Sequence, residues 1–449
     1  MTDLLRTYGG PAPRYTSYPT APHFGTDVSA DTVAGWLRGM TARHASVYVH
    51  LPFCKSLCFY CGCHMKVTHD RATISRYVDG LLAEMAHAAA HLPHRLTVTT
   101  LHFGGGTPSY CPAPDLKRIV EAVHAHFDVA TQAEISMEID PRRLDDPVIG
   151  TLADVGLNRA SLGIQDTQAD VQQAIGRIQP HALNLRAAAR LRQAGIRSLN
   201  VDLLYGLPRQ TPNTLGRSIQ DVLELAPERI SLFGYAHVPW MKKHQRVLEA
   251  HGLPDAQQRL TLFETATEAL TTAGYIAVGM DHFCLPDDAM ATALHARTLH
   301  RNFMGYTTDD APVLLGFGAS AISQYPQGYA QNMTAIPDYM AAVNAQRIPT
   351  ARGISLSAED MLRRDIIASL LCSFEVDISD LLQRHHFSAD ILASSLAQLG
   401  GMMRDGLVDL ADDGQHLRIT PEGRPFARAV AACFDGWLDK NPARHSGAV

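Results

Sequence analysis

Residues 47–63 read Val47-Tyr48-Val49-His50-Leu51-Pro52-Phe53-Cys54-Lys55-Ser56-Leu57-Cys58-Phe59-Tyr60-Cys61-Gly62-Cys63, and this stretch decides the fold. Its first residues form a short apolar, β-branched run that predicts a strand over 47–51. Directly after it, Cys54, Cys58 and Cys61 stand at i, i+4 and i+7 on a tight loop. Zinc sites usually close with four ligands, commonly two Cys-x-x-Cys pairs or added histidines, and a second pair is missing here. Three close thiolates would instead leave one corner of a four-iron cluster open to a cofactor or substrate bound through nitrogen and oxygen. Structural zinc with Cys63 or His64 as fourth ligand, and a redox dithiol, are the competing readings.

Outward from the loop, one rhythm repeats to about residue 280: an apolar run, a loop, then an amphipathic stretch. Further strand candidates lie at 97–103, 134–140, 157–164, 197–205 and 229–236, with another at 275–280. Between them apolar residues recur at helical spacing, as at Tyr77, Leu81, Leu82 and Met85, or Leu183, Leu185, Ala188 and Leu191. Such alternation predicts an α/β chain with parallel strands and helical crossovers, a full or partial (β/α) barrel. A parallel barrel places its active site at the carboxyl ends of its strands. Polar and glycine residues recur at those ends. The second strand runs into Gly104-Gly105-Gly106-Thr107-Pro108, the third ends on Glu138 and Asp140, the fourth on Gln165. Asp202 lies in the fifth, and Tyr235 and His237 follow the sixth.

The flanks have a different texture. Residues 1–35, rich in Pro, Gly, Thr and Tyr, predict an extended arm, 36–346 the barrel with an extension, and 347–449 a mostly helical, winged-helix-like domain. In that last part helices are expected over 358–371, 377–385 and 389–405, and two strands around 406–410 and 416–420. A turn at Asp412-Asp413-Gly414 joins the strands, and a last helix starts at Glu422. Winged helices often bind DNA, but 389–405 carries Arg404 against Asp390 and Asp405, so a packing or lid role is expected. Lys plus Arg total 39 and Asp plus Glu 45, a net charge of −6. That balance argues against nucleic acid or an anionic membrane as partner, so an anionic ligand must be met by a few placed basic residues. No basic leader with an apolar run opens the sequence, and no apolar stretch of about eighteen residues occurs, so a cytoplasmic location without membrane insertion is expected. Cys111, Cys284, Cys372 and Cys433 are scattered singly and read as small buried fillers.

The Cys-x-x-x-Cys-x-x-Cys loop after the first strand of a βα series, with a glycine run after the second, resembles the radical S-adenosylmethionine (SAM) superfamily. The resemblance is closer still to the family of oxygen-independent coproporphyrinogen III oxidases, also called coproporphyrinogen dehydrogenases. It rests on Pro13-Arg14-Tyr15-Thr16-Ser17-Tyr18-Pro19-Thr20, Tyr48 to Cys54, Cys61-Gly62-Cys63, Gly104 to Pro108, and Asp202-Leu203-Leu204-Tyr205-Gly206-Leu207-Pro208. Gly279-Met280-Asp281-His282-Phe283 and His300-Arg301-Asn302-Phe303 belong to it too, so it runs from about Tyr15 to Cys433.

The resemblance implies radical SAM decarboxylation of two propionates of coproporphyrinogen III to vinyl groups, giving protoporphyrinogen IX in haem biosynthesis. It implies a [4Fe-4S] cluster on Cys54, Cys58 and Cys61, completed by a SAM molecule flanked by Tyr48, Gly105 and Glu138. A second SAM is implied at Tyr60, Gly106, Thr107, Gln165, Arg177, Asp202, Ala236 and Ile322. On charge grounds Asp202 suits a ribose hydroxyl or an ammonium, and Arg177 a carboxylate. Catalytic roles are expected at Cys63, beside the cluster loop, and at Arg14, the first candidate to grip substrate propionates, with Arg301 and His282 behind it. Phe303 and Met304 are expected to line the site near the second SAM. Here the sequence departs from the family, which commonly has glutamine where Met304 stands. A thioether for an amide removes two donors and an acceptor.

A reductant such as a flavodoxin or ferredoxin and a monomeric state are also expected. The rival readings are a paralogous radical SAM enzyme acting on another tetrapyrrole or a different substrate, which Met304 keeps open, and a haem-binding chaperone of the same family. Cys63 and the arm speak against the chaperone.

Overall fold

The computed structural model describes residues 2–411 and 414–438. Six parallel strands succeed one another in chain order: β1 (His44–Leu51), β2 (Thr97–Gly105), β3 (Asp128–Ile139), β4 (Arg159–Gln165), β5 (Ser198–Tyr205) and β6 (Arg229–Gly234). Their crossovers carry α1 (Arg71–Ala90), α2 (Ala113–His126), α3 (Asp146–Asp154), α4 (His181–Gln193) and α5 (Pro212–Leu223), and α6 (Ala256–Thr272) follows β6. Helix starts are where capping chemistry puts them: Asp145 accepts from Val148 N at 3.0 Å, and Thr211 and Asp255 form capping boxes.

The sheet does not stop at six strands. β7 (Leu314–Phe317) lies parallel to β1 on its free side, followed by antiparallel Ile322–Tyr325, Gly328–Asn332 and Thr350–Ser355, in a sheet of twelve strands. The candidate at 275–280 is no further parallel unit. Ile276–Val278 pairs antiparallel with His282–Cys284, which closes the β6 edge. The result is a partial barrel: the helix-facing sides of β1–β6 and the helices enclose a core of Val47, Val49, Leu101, Leu162, Val201 and Leu232, while the alternate residues face the barrel interior.

The arm is only partly extended, because Thr2–Tyr8 is a helix. Leu5, Tyr15 and Tyr18 share a core with the C-terminal helix α7 (Ala358–Ser373), so the arm belongs to that domain's interior as much as to the barrel. In the C-terminal domain the expected wing strands appear as Val408–Leu410 and His416–Ile419, joined by a third, Glu375–Asp377. The stretch 389–405 is helical but broken into three short pieces, a 3-10 helix Ala389–Leu392 and the α-helices Ala393–Gln398 and Gly400–Arg404, rather than one helix. Asp412 and Asp413 of the expected turn lie outside the described residues, as does 439–449 of the last domain. No described helix is long and apolar enough to cross a membrane.

Candidate active site

The cysteine loop and the polar residues around it sit at the carboxyl ends of β1–β6. Leaving β1, Phe53–Cys54 pairs with Lys66–Val67 in a small parallel ribbon that folds the cysteine loop back on itself. The loop's carbonyls find partners from one segment after β6. Lys242 Nζ donates to Cys63 O (2.7 Å), Gln245 Nε2 to Tyr60 O (2.9 Å), and His244 Nε2 meets Cys61 O (2.8 Å). All eight cysteines are free thiols. Cys54 Sγ lies 3.2 Å from Thr107 Oγ1, and Cys58 Sγ is approached at 3.6 Å by both Arg142 Nη2 and Arg177 Nη1. Burial pushes the Cys54 thiol up to about 12, whereas a hydrogen bond with Cys63, backed by Lys242 and Arg177, brings Cys61 down to about 7.

The glycine run is dictated by contact. A side chain on Gly104 would strike the Tyr48 ring at 2.8 Å, and one on Gly106 would meet Pro52 C at 2.8 Å and Cys54 Sγ at 3.0 Å. Gly105, at φ +120°, donates its N–H to Glu138 Oε2 at 3.2 Å. Tyr48 stacks on His102 and bonds His50 Nδ1 at 3.0 Å, so it backs the glycines.

Opposite the loop, β4 ends on a register shift between Gly163 and Gln165, and Gln165 takes a left-handed φ of +72°. Such backbone strain in a non-glycine residue is typical of functional sites. Asp202, held by Ser161 Oγ (2.9 Å) and Asn200 Nδ2 (2.8 Å), is pushed up to about 6 by burial and the neighbouring Glu138. Arg177 reaches Gly163 O (2.5 Å) and Asp140 (3.4 Å), while Arg142 grips Asp140 at 2.7 Å. The two guanidiniums hold the Asp140 carboxyl below the usual carboxylate range against its burial.

These residues enclose a cavity of about 750 Å³. Of the residues expected from sequence, Cys54, Cys58, Cys61, Cys63, Tyr60, Gly106, Thr107, Glu138, Gln165, Arg177, Asp202, Ala236 and Arg14 line it. Tyr48 and Gly105 stand behind its wall. Ile322 and Phe303 do not reach it; they pack around Tyr329 with Phe24 and Ile354, on the antiparallel extension. Met304 also stays off this wall: it faces a second cavity of about 160 Å³ that shares Glu138, Ser161, Asp202 and Phe233 with the first. His282, bonded to Asp281 at 2.7 Å, lines that inner cavity too. Arg301 donates to Arg14 O (2.6 Å) and Tyr15 O, tying down the arm. Sequence reasoning missed Arg142, Lys242, His244 and Gln245. Arg142 alone carried a signal, two residues beyond the strand-end Asp140.

The donor set suits a multi-iron cluster better than a single ion. Ligands of a tetrahedral zinc with Zn–S bonds of about 2.3 Å sit roughly 3.8 Å apart. Among the described residues no three cysteine sulfurs lie mutually within 4.8 Å. His64, the other proposed zinc ligand, hydrogen-bonds the Thr334 backbone instead.

The profile of the Radical SAM superfamily matches residues 48–222, and that of the HemN C-terminal domain matches 356–426. An oxygen-independent coproporphyrinogen III oxidase of Paracoccus denitrificans is 43% identical over 100% of this chain and 98% of its own length. One from Escherichia coli is 39% identical over 97% and 95%. The solved structure described as "Coproporphyrinogen III oxidase (HemN) from Escherichia coli is a Radical SAM enzyme" superposes with a TM-score of 0.91 at 37% identity, covering 98% of this chain and 99% of that one. Identity at this level over nearly whole chains, with the fold matched from the arm to the C-terminal domain, means that the chain belongs to the radical SAM family of oxygen-independent coproporphyrinogen III oxidases.

Proposed function

We propose that this chain converts coproporphyrinogen III to protoporphyrinogen IX in haem biosynthesis, by oxidative decarboxylation of two propionate side chains. The supporting observation is the single cavity in which three thiols after β1 face Glu138, Gln165, Arg177 and Asp202 from the next strands, closed by Arg14 of the arm. At each propionate the net change is loss of a β-hydrogen atom, carbon dioxide and one further electron, leaving a vinyl group. A radical SAM protein uses a [4Fe-4S] cluster and SAM, which when bound supply the electron and the hydrogen-abstracting radical that an unactivated C–H bond demands.

The chain's own residues do the positioning. Cys54, Cys58 and Cys61 would hold the cluster, with the Arg142 and Arg177 guanidiniums offsetting negative charge at Cys58. Gly106 and Thr107 present backbone close to the cluster loop, while Tyr48 and Gly105 brace Glu138 from behind. Cys63, exposed beside Cys61, would act as a donor, acceptor or hydrogen-bond partner near the cluster. Asp202 would accept from a hydroxyl or ammonium, and buried Arg177 would meet a carboxylate.

The finer points belong to the same proposal. Two SAM molecules bind, a reading supported by Tyr60, Gly106, Thr107, Gln165, Arg177, Asp202 and Ala236 sharing one cavity, while Ile322, Phe303 and Met304 act from outside its wall. The enzyme is a cytoplasmic monomer that takes electrons from a flavodoxin or ferredoxin, and it divides into arm 1–35, barrel 36–346 and C-terminal domain 347–449, with strand Thr350–Ser355 completing the large sheet beyond that division.

Anaerobic reconstitution with iron and sulfide, then reductant, SAM and coproporphyrinogen III, tests the reading. Protoporphyrinogen is expected, and a cluster-loaded enzyme that cleaves SAM but leaves this substrate untouched would refute it.

A further inference from the structure

Four of the chain's six lysines, against 33 arginines, fall in two short stretches, residues 52–69 and 238–248. Together these stretches carry Lys55, Lys66, Lys242, Lys243 and Arg246 and no acidic residue, in a chain whose net charge is −6. The first is the cysteine loop with its ribbon. The second is the segment that bonds the loop's carbonyls, Lys242 at Cys63 O, His244 at Cys61 O and Gln245 at Tyr60 O. The fold therefore brings together side chains that the sequence holds 179 residues apart. Lys55 lines the main cavity. Lys66, Lys243 and Arg246 are exposed, and Lys242 is half-buried. Among the described residues no carboxylate pairs with these four; the flanking acids Asp70 and Glu249 are engaged by Arg76 and His237.

Apolar side chains stand among these charges. Met241, Val247 and Val67 are 69%, 45% and 40% exposed, three of the five large hydrophobics that the described residues leave in water. One such residue alone is ordinary, but three in the company of unpaired basic groups have the make-up of a protein contact. Lysine is a hydrated, mobile point charge, whereas arginine locks bidentately, so a lysine rim in an arginine-rich chain suits a partner that must leave quickly. The sign of the charge calls for an acidic partner. Its position says what the partner brings. The Lys242 and His244 side chains alone separate this segment from the backbone of Cys63 and Cys61, and the cluster that the loop would hold has to receive an electron.

We propose that this lysine-rimmed surface is the dock of an acidic one-electron carrier protein, which delivers its electron to the cysteine loop across the segment of Lys242, His244 and Gln245. This rests on the function proposed above and gives the reductant of that reading a place on the chain. The transfer moves one electron: the reduced carrier becomes its one-electron-oxidised form, the cluster is reduced by one, and no atom changes hands. None of Lys66, Val67, Met241, Lys243, Arg246 and Val247 lines the main cavity, so the carrier and a tetrapyrrole meet the loop from different sides.

The test combines Lys66→Glu, Lys243→Glu and Arg246→Glu in reconstituted enzyme; all three side chains are exposed, so folding is little at risk. Calorimetric titration at low salt with an acidic flavodoxin, and with an acidic plant-type ferredoxin, is the direct readout. At least one should bind wild type, and the triple variant should bind it about tenfold or more weaker. That difference should vanish at about 0.5 M salt, where surface charges are screened. Met241→Ser, which leaves the charge alone, should weaken the same titration without changing its salt dependence. Turnover driven by a limiting amount of the carrier should fall with the triple variant, while turnover driven by dithionite stays within about twofold of wild type. Wild-type binding of neither carrier, a triple-variant Kd within about twofold of wild type, or an equal loss of turnover with dithionite would overturn the docking assignment. If wild type makes no protoporphyrinogen even with dithionite, the activity reading fails, and the titration still decides the surface.

Discussion

At the scale of single residues the site is unforgiving because its parts touch. Cys58 is the thiol toward which two guanidiniums converge, so Cys58→Ala would remove a proposed cluster ligand and one contact of each guanidinium, both of which keep their pairing with Asp140. The variant should retain no [4Fe-4S] absorbance after reconstitution and lose turnover by several orders of magnitude; iron analysis and the visible spectrum check both. Gly106→Ala tests the glycine run without touching a thiol. The new methyl would lie 2.8–3.0 Å from Pro52, Phe53 and Cys54, mostly backbone atoms that cannot swing aside. A cost of about 1–3 kcal/mol is expected, read by denaturant unfolding, together with loss of iron from the loop. Thiols, glycines and acids next to a strand signal were legible in the sequence. Met304 was singled out too, but the side to which it turns was not legible, because its facing toward the inner cavity depends on the hairpin of His300–Asn302 and Gly305–Thr307, whose packing no local pattern reports.

At the scale of elements, the barrel's βα rhythm reads straight from apolar spacing, whereas the extension beyond β7 does not. Its antiparallel strands are short and their pairing is set by long-range contacts. One such contact joins α1 to the extension: buried Glu84 accepts from Gly318 N (2.8 Å), Asn332 Nδ2 (2.6 Å) and Tyr339 Oη (2.6 Å). Burial pushes its carboxyl up from 4.5 to about 7. A folded-state pKa above the unfolded one means that the stability contribution is full below about 4.5 and is lost as pH rises through 7. The melting-temperature advantage of wild type over Glu84→Gln should therefore shrink between about pH 5 and pH 8; a difference constant across that range would contradict the assignment.

At the scale of the molecule, the arm and the C-terminal domain act as one body laid against the barrel. Tyr18 is buried in the C-terminal core and accepts from Gly436 N at 3.0 Å, and Tyr15 Oη donates to Asp435 at 3.0 Å. Tyr18→Ala should cost about 3–5 kcal/mol in denaturant unfolding, as for other large buried aromatics, and should release the arm to proteolysis. Nothing in the local sequence of the arm announces this. Tyr and Pro in its first twenty residues read as extended chain, and their partners lie some four hundred residues away. The central claim is that a cluster held by Cys54, Cys58 and Cys61 drives two decarboxylations of coproporphyrinogen III in this cavity. Its most direct measurement is mass spectrometry of the tetrapyrrole after anaerobic turnover by the reconstituted enzyme. The account predicts loss of two carbon dioxide molecules and four hydrogens, dependent on SAM and absent in Cys58→Ala; an unchanged substrate mass in the presence of an intact, reducible cluster would contradict it.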